Sequence, residues 1–118
     1  MGILLVLKII AALATAATGL LALVKPTAVY GFTGLIANGV RGVSEVRSIF
    51  GGLFIALGIV PVIFGERAYQ MLGIGYLAIA LARIISIVID KSYDRSNWIS
   101  LAIEIVFGII LVYPRGTA

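Results

Sequence analysis

Four long apolar blocks decide what this chain can fold into. They run from Ile3 to Val24, from about Val43 to Phe64, from Ala68 to Ile89 and from Asn97 to Tyr113. Each approaches the roughly 20 residues that cross about 30 Å of hydrocarbon, and the last, the shortest, spans when its flanking groups reach outward. A water-facing surface needs polar material that the chain lacks: hydrophobic residues make up 62%, charged residues 12%, and mean hydropathy is +1.19. A soluble domain carries about 25% charged residues. With 118 residues there is room for one domain, read as residues 1–118. The expected fold is an all-α, integral membrane four-helix bundle. The first block, 22 residues long, suits a span better than a secretory signal peptide, because no small-x-small cleavage site is followed by a soluble mature domain.

The connections differ in character. Gly65-Glu66-Arg67 reads as a tight turn, and Asp90 to Ser96 as a short, solvated charged loop containing Asp90, Lys91, Asp94 and Arg95. The first loop, Lys25 to Gly42, is unusually apolar, carrying Val29, Tyr30, Phe32, Leu35 and Ile36 between glycines. Such a segment is expected to lie at the interface or to re-enter the membrane. Four spans put both termini and the 65–67 turn on one side. Lys25, Arg41, Lys91 and Arg95, with Arg47, face the other side and outnumber Arg67, Arg115 and Lys8. The excess of cations places the first and third loops in the cytoplasm and the termini outside a cell membrane. Tyr69, Tyr93, Trp98 and Tyr113 fall near span ends, as interfacial aromatics do.

The absence of Cys and His excludes disulfides, thiol chemistry, Cys/His zinc sites, iron–sulfur clusters and His-ligated haem. No cofactor and no metal site is expected. The net charge of +4 is a topology signal, and nothing points to nucleic acid.

Charges inside the spans are the residues to explain, because each costs about 2.5–3.5 kcal/mol unpaired at mid-membrane. Arg83 and Glu104 each lie about 10 Å from the side of the first and third loops, at 1.5 Å per residue. Glu45 and Arg47 enter from that same side. The expectation is one cluster of two acids and two bases, Glu45, Arg47, Arg83 and Glu104, binding a ligand or serving as a structural ion network. Helical spacing supplies its setting. Tyr76, Ala80, Arg83, Ser86 and Asp90 share a stripe on the third span, with Asp90 within reach as an outer partner of Arg83. Asn97, Ser100, Glu104 and Gly108 share one on the fourth. Ala12, Thr15, Gly19 and Ala22 share a face of the first. On the second span Ser44, Ser48, Gly51, Gly52 and Gly58 occupy the side toward the bundle, with Glu45 and Arg47 at its margins. Ser44, Ser48, Gly52 and Ala56 form a row of small residues that admits a neighbouring backbone, and Val46, Ile49, Phe50, Leu53, Phe54 and Leu57 are turned to lipid. Gly51-Gly52 reads as a packing feature, and Lys8 as an anchor whose amine snorkels to the surface.

The run Arg41-Gly42-Val43-Ser44-Glu45-Val46-Arg47-Ser48-Ile49-Phe50-Gly51-Gly52-Leu53, together with Ala82-Arg83, Ser86, Asp90 and Glu104, resembles an uncharacterised family of small bacterial four-helix membrane proteins. That family is loosely similar to the DoxX-like membrane proteins, some of which are associated with quinone-linked oxidation of sulfur compounds. The resemblance implies the four-helix fold and the four charged positions, and names no activity.

Three functions fit these residues. The leading one is a ligand-binding or accessory, structural protein. Its two arginines receive a lipid headgroup, a quinone oxygen or another anionic amphipathic ligand, and it packs against copies of itself or a larger membrane complex. The second is an enzyme using carboxylate acid–base chemistry on a lipid-soluble substrate, which sits uneasily with arginines that keep carboxylates ionised. The third is a transporter, which for four helices requires an oligomer.

Overall fold

The computed structural model describes residues 2–115, and all of its regular structure is helical. Five helices occur in order: α1 (Ile3–Val24), a short α2 (Val29–Thr33), α3 (Gly39–Phe64), α4 (Glu66–Asp90) and α5 (Arg95–Val112). The four long ones are long and apolar enough to cross a membrane.

Local chemistry sets their ends. Lys25, extended at φ −135°, stops α1 immediately before Pro26, whose ring disfavours helical backbone in the preceding residue. A 3-10 turn, Pro26–Ala28, leads into α2, which Gly34 ends in the left-handed conformation at φ 77°. The helix expected from about Val43 therefore starts earlier, at Gly39, and takes the end of the apolar loop with it. Gly65 alone makes the α3–α4 turn. Its φ of 93° and ψ of −150° are open to glycine and strained for other residues, and Glu66 and Arg67 already belong to α4. Glu66 in that first turn also complements the positive end of the helix dipole.

The helices run up and down. Lys8 near the start of α1 bonds Glu66 at the start of α4 and Leu111 at the end of α5, while Arg47 on α3 bonds the carbonyl of Leu23 at the end of α1. At the end that carries the N-terminus, one core joins all four: Ala11 and Ala12 of α1, Tyr69 and Leu72 of α4 and Leu111 of α5, with Leu57 of α3 packed against them. Toward the first and third loops that core divides. Ala22, Val29 and Val46 tie α1 and α3 to the first loop, while Ala80, Ile87 and Leu101 tie α4 to α5. The molecule is accordingly flat, 48 × 32 × 17 Å.

Glycines make the two pairings close. A Cβ on Gly58 would lie 2.4 Å from the Ala12 carbonyl oxygen and the Ala16 nitrogen, and one on Gly73 would lie 2.8 Å from the Val112 nitrogen. Outward, Ile63, Phe64, Met71, Leu81, Val88 and Ile89 leave between 61% and 76% of their surface uncovered. Apolar exposure on that scale belongs to a surface that meets lipid or another apolar partner.

Helix α3 departs from the sequence expectation. Residues Val46–Leu53 form a π-helix within it, eight residues with i→i+5 bonding. The wider turn shifts the angular phase, so residues on either side do not share one 100° spacing. Val46, Gly51, Gly58 and Pro61 are buried, whereas Ser44, Ser48, Gly52 and Ala56 are exposed, and nothing approaches the position of a Gly52 Cβ within 4 Å. Of the side expected to face the bundle, Gly51 and Gly58 do meet α1, at Gly19, Leu23, Ala12 and Ala16, and Val46, expected toward lipid, is buried.

Candidate functional site

Arg83 of α4 and Glu104 of α5 form a two-pronged ion pair. Arg83 Nε donates to Glu104 Oε1 at 2.8 Å and Nη2 donates to Oε2 at 2.6 Å. Such planar, charge-assisted pairs are the strong members of their class. Nη1 donates to Asn97 Oδ1 at 2.6 Å, and Asn97 Nδ2 donates in turn to the backbone oxygen and hydroxyl of Ser92, each at 3.0 Å. A continuous polar chain therefore runs from the α4–α5 turn, about 10 Å into the helical pair at 1.5 Å per residue.

Regular helical spacing places these groups. Ala80, Arg83 and Ile87 fall on the α4 face toward α5, and Leu101, Glu104 and Gly108 on the answering face. Gly108 admits Leu77 next to its own backbone, which draws the helices near enough for the pair to close. Glu104 is buried, and the Arg83 side chain stays 29% exposed. Deeper along the same stripe, the Tyr76 hydroxyl hydrogen-bonds Thr15 on α1, and the Tyr76 ring meets Phe107 edge-on at 5.5 Å. Thr15 Oγ1 donates to the Ala11 carbonyl at 2.9 Å, which leaves the tyrosine hydroxyl as donor to Thr15. Ser100 is half-buried on α5. Among the described residues, no buried side-chain nitrogen or oxygen lacks a partner.

Only half of the expected four-charge cluster assembles. Glu45 accepts from Arg41, one turn earlier on its own helix, in a pair that stands open to the surroundings. Arg47 Nη1 donates to the Leu23 carbonyl at 2.9 Å. Both residues lie around the π-helical segment, which packs on α1, whereas Arg83 and Glu104 sit between α4 and α5. Reckoned by depth alone the four charges fall at one level, but their partners lie in different parts of the structure: α1 and α3 for Glu45 and Arg47, α4 and α5 for Arg83 and Glu104. Asp90 is not the outer partner of Arg83: it accepts from Ser86 at 2.8 Å, and Asn97 occupies that role.

A second polar knot lies at the opposite end, and Lys8 is at its centre. Its side chain is fully buried, with Nζ donating to Glu66 Oε1 at 3.2 Å and to the Leu111 carbonyl at 2.9 Å, 5.9 Å from the centre of the Tyr69 ring. The amine reaches the end of the helices as a snorkelling lysine does, but ends on a carboxylate instead of in water. Glu66 also accepts from the backbone nitrogen and Nε of Arg115. Spacing alone could not pair Lys8 with Glu66, 58 positions away. The usable signal was a lone lysine in a span opposite the one acid of the connecting turn.

These features define a small all-helical chain with four membrane-capable helices and two polar knots. Residues 3–114 match the family described as a domain of unknown function, DUF4345, and the chain belongs to that family. No curated protein and no solved structure matches.

Proposed function

We propose that this is a small multi-pass membrane protein with a binding or accessory role, in which Arg83 receives the polar head of an amphipathic, lipid-soluble molecule. The observation that carries the reading is the state of that arginine. Three of its five N–H donors are fixed by Glu104 and Asn97, yet 29% of the side chain remains accessible, on a polar chain leading to the α4–α5 turn. The remaining two donors suit an oxygen acceptor such as a quinone carbonyl, a carboxylate or a headgroup oxygen. Glu104 cancels the charge, so the site favours a hydrogen-bonding head over a strongly anionic one. Catalysis is less well supported, since both oxygens of Glu104 are occupied by Arg83 and neither is poised as a free base. Conduction has the packed layer of Ala11, Ala12, Leu72 and Leu111 against it, which separates Thr15 from Lys8.

Orientation is set by the cation count, with the first and third loops cytoplasmic and the termini outside. The experiment for the site is mass spectrometry of molecules co-purifying with the full chain in mild detergent. The expected result is one amphipathic species retained by the wild type and lost from Arg83→Gln. Equal retention by both, with only thermal stability reduced in the variant, would make the pair a structural clip and overturn the binding role.

A further inference from the structure

The hydrogen bonds around Arg83 can run in one direction only. A guanidinium donates and cannot accept, and a backbone carbonyl accepts and cannot donate. Asn97 stands between the two. Its Nδ2 donates to the Ser92 carbonyl and the Ser92 hydroxyl oxygen, each at 3.0 Å, which leaves Oδ1 as the atom that faces Arg83 Nη1 at 2.6 Å. The amide is thereby oriented from the α4–α5 turn, and both of its hydrogens are spent.

That turn holds an unfavourable backbone. Lys91, at its start, has φ 53° and ψ 39°, the one left-handed residue other than glycine among the described residues. A side chain there crowds the following carbonyl oxygen, and such a conformation persists where its surroundings fix it. Ser92 comes next, and its two oxygens meet Asn97 in the first turn of α5.

With Glu104 on Nε and Nη2 and Asn97 on Nη1, all three nitrogens of the guanidinium are held. Asn97 is neutral, so this third bond leaves the Arg83–Glu104 pair without net charge. Among Arg83, Glu104 and Asn97, the hydrogens still unspent are two, and both belong to Arg83. An incoming head therefore meets donors in fixed directions, and pre-organisation of that kind adds to affinity.

We propose that Asn97 is the positioning residue of the Arg83 site, and that the head it selects is an uncharged acceptor, a carbonyl or ester oxygen with no hydrogen of its own to place. This rests on the binding role given to Arg83 above. A cationic head that can only donate meets further donors and is refused.

The test uses the full chain purified in a mild non-ionic detergent, titrated with two single-chain amphiphiles of equal length and read by the shift in thermal unfolding. One is a methyl ketone and the other a primary alkylamine, which is protonated at neutral pH. The wild type is expected to bind the ketone about tenfold more tightly than the ammonium, and Arg83→Gln should lose that preference. Asn97→Leu should weaken ketone binding about tenfold, whereas Asn97→Asp, which still accepts from Nη1, should stay within about threefold of the wild type. Combined with Arg83→Gln, Asn97→Leu should cause no further loss, a result that a merely structural asparagine would not give. If Asn97→Leu does not fold, Asn97→Ser, too short to reach Nη1, replaces it. Equal binding of both amphiphiles by the wild type would overturn the choice of head. An equal loss from Asn97→Leu with and without Arg83, or a loss as large in Asn97→Asp, would overturn the positioning role and leave the Arg83 reading standing. Ketone binding by Arg83→Gln at the wild-type level would overturn both.

Discussion

Arg83 and Glu104 illustrate how a charge can reside among apolar helices. Each is costly there alone, and each is tolerated because the other meets it with two hydrogen bonds. Removing one partner leaves the other unpaired. Glu104→Ala and Arg83→Ala are each expected to lower stability by about 3 kcal/mol, whereas replacing both by apolar residues of similar size should cost far less. Unfolding in mixed micelles by an anionic detergent measures this. Lys8 gives a parallel case at the other end. Lys8→Met keeps the stem and removes the amine, stranding the Leu111 carbonyl, and should cost about 1–3 kcal/mol, the usual penalty for a buried acceptor without a partner. Glu66 retains Arg115 in that variant, so the loss stays below that of Glu66→Ala, which takes the acidic partner from both Lys8 and Arg115.

At the scale of the helices, the regular elements were legible from sequence and the irregular one was not. On α4 and α5, constant 3.6-residue spacing put Arg83 and Glu104 on facing stripes, and these two meet, although the outer end of the α4 stripe does not, since Asp90 is exposed and bonds Ser86. On α1 the face of Ala12, Thr15, Gly19 and Ala22 is buried throughout. On α3 the same arithmetic held for Gly51 and Gly58 and failed for Ser44, Ser48, Gly52, Ala56 and Val46, because the π-helical turns between Val46 and Leu53 shift the phase along the helix. Glu45 and Arg47, expected at the margins of that side, meet Arg41 and the Leu23 carbonyl instead of Arg83 and Glu104. The same distinction yields a test. Gly58→Ala inserts a methyl against the α1 backbone and should destabilise by about 1–3 kcal/mol. Gly52→Ala, facing open space, should change stability by no more than about 0.5 kcal/mol. The opposite ranking would mean that Gly52 faces α1 after all.

For the whole molecule, one joint core at the terminal end and two separate cores at the loop end give a clasp held at one side. Lys8, Glu66 and Arg115 reinforce the closed side, and the Arg83 pair stiffens one arm of the other. This division was not legible in the order of residues, since it depends on which helices touch and not on which residues are apolar. Amide exchange in detergent should therefore be slowest around Ala11, Ala12 and Leu72 and faster toward the first and third loops. The chain has no cysteine, so single substitutions report topology cleanly. In intact cells a membrane-impermeant maleimide should label Gly2→Cys and spare Lys91→Cys, and the reverse pattern would invert the proposed orientation.

One ion pair, Arg83 with Glu104, joins α4 to α5, and Arg47 takes no part in it. A double-mutant cycle puts this to the proof, using Arg83→Met with Glu104→Leu and, in parallel, Arg47→Met with Glu104→Leu. The expected coupling for Arg83 and Glu104 is above about 1 kcal/mol, and for Arg47 and Glu104 it is within about 0.5 kcal/mol of zero. Additive effects in the first cycle, or strong coupling in the second, would show that the charges are arranged otherwise.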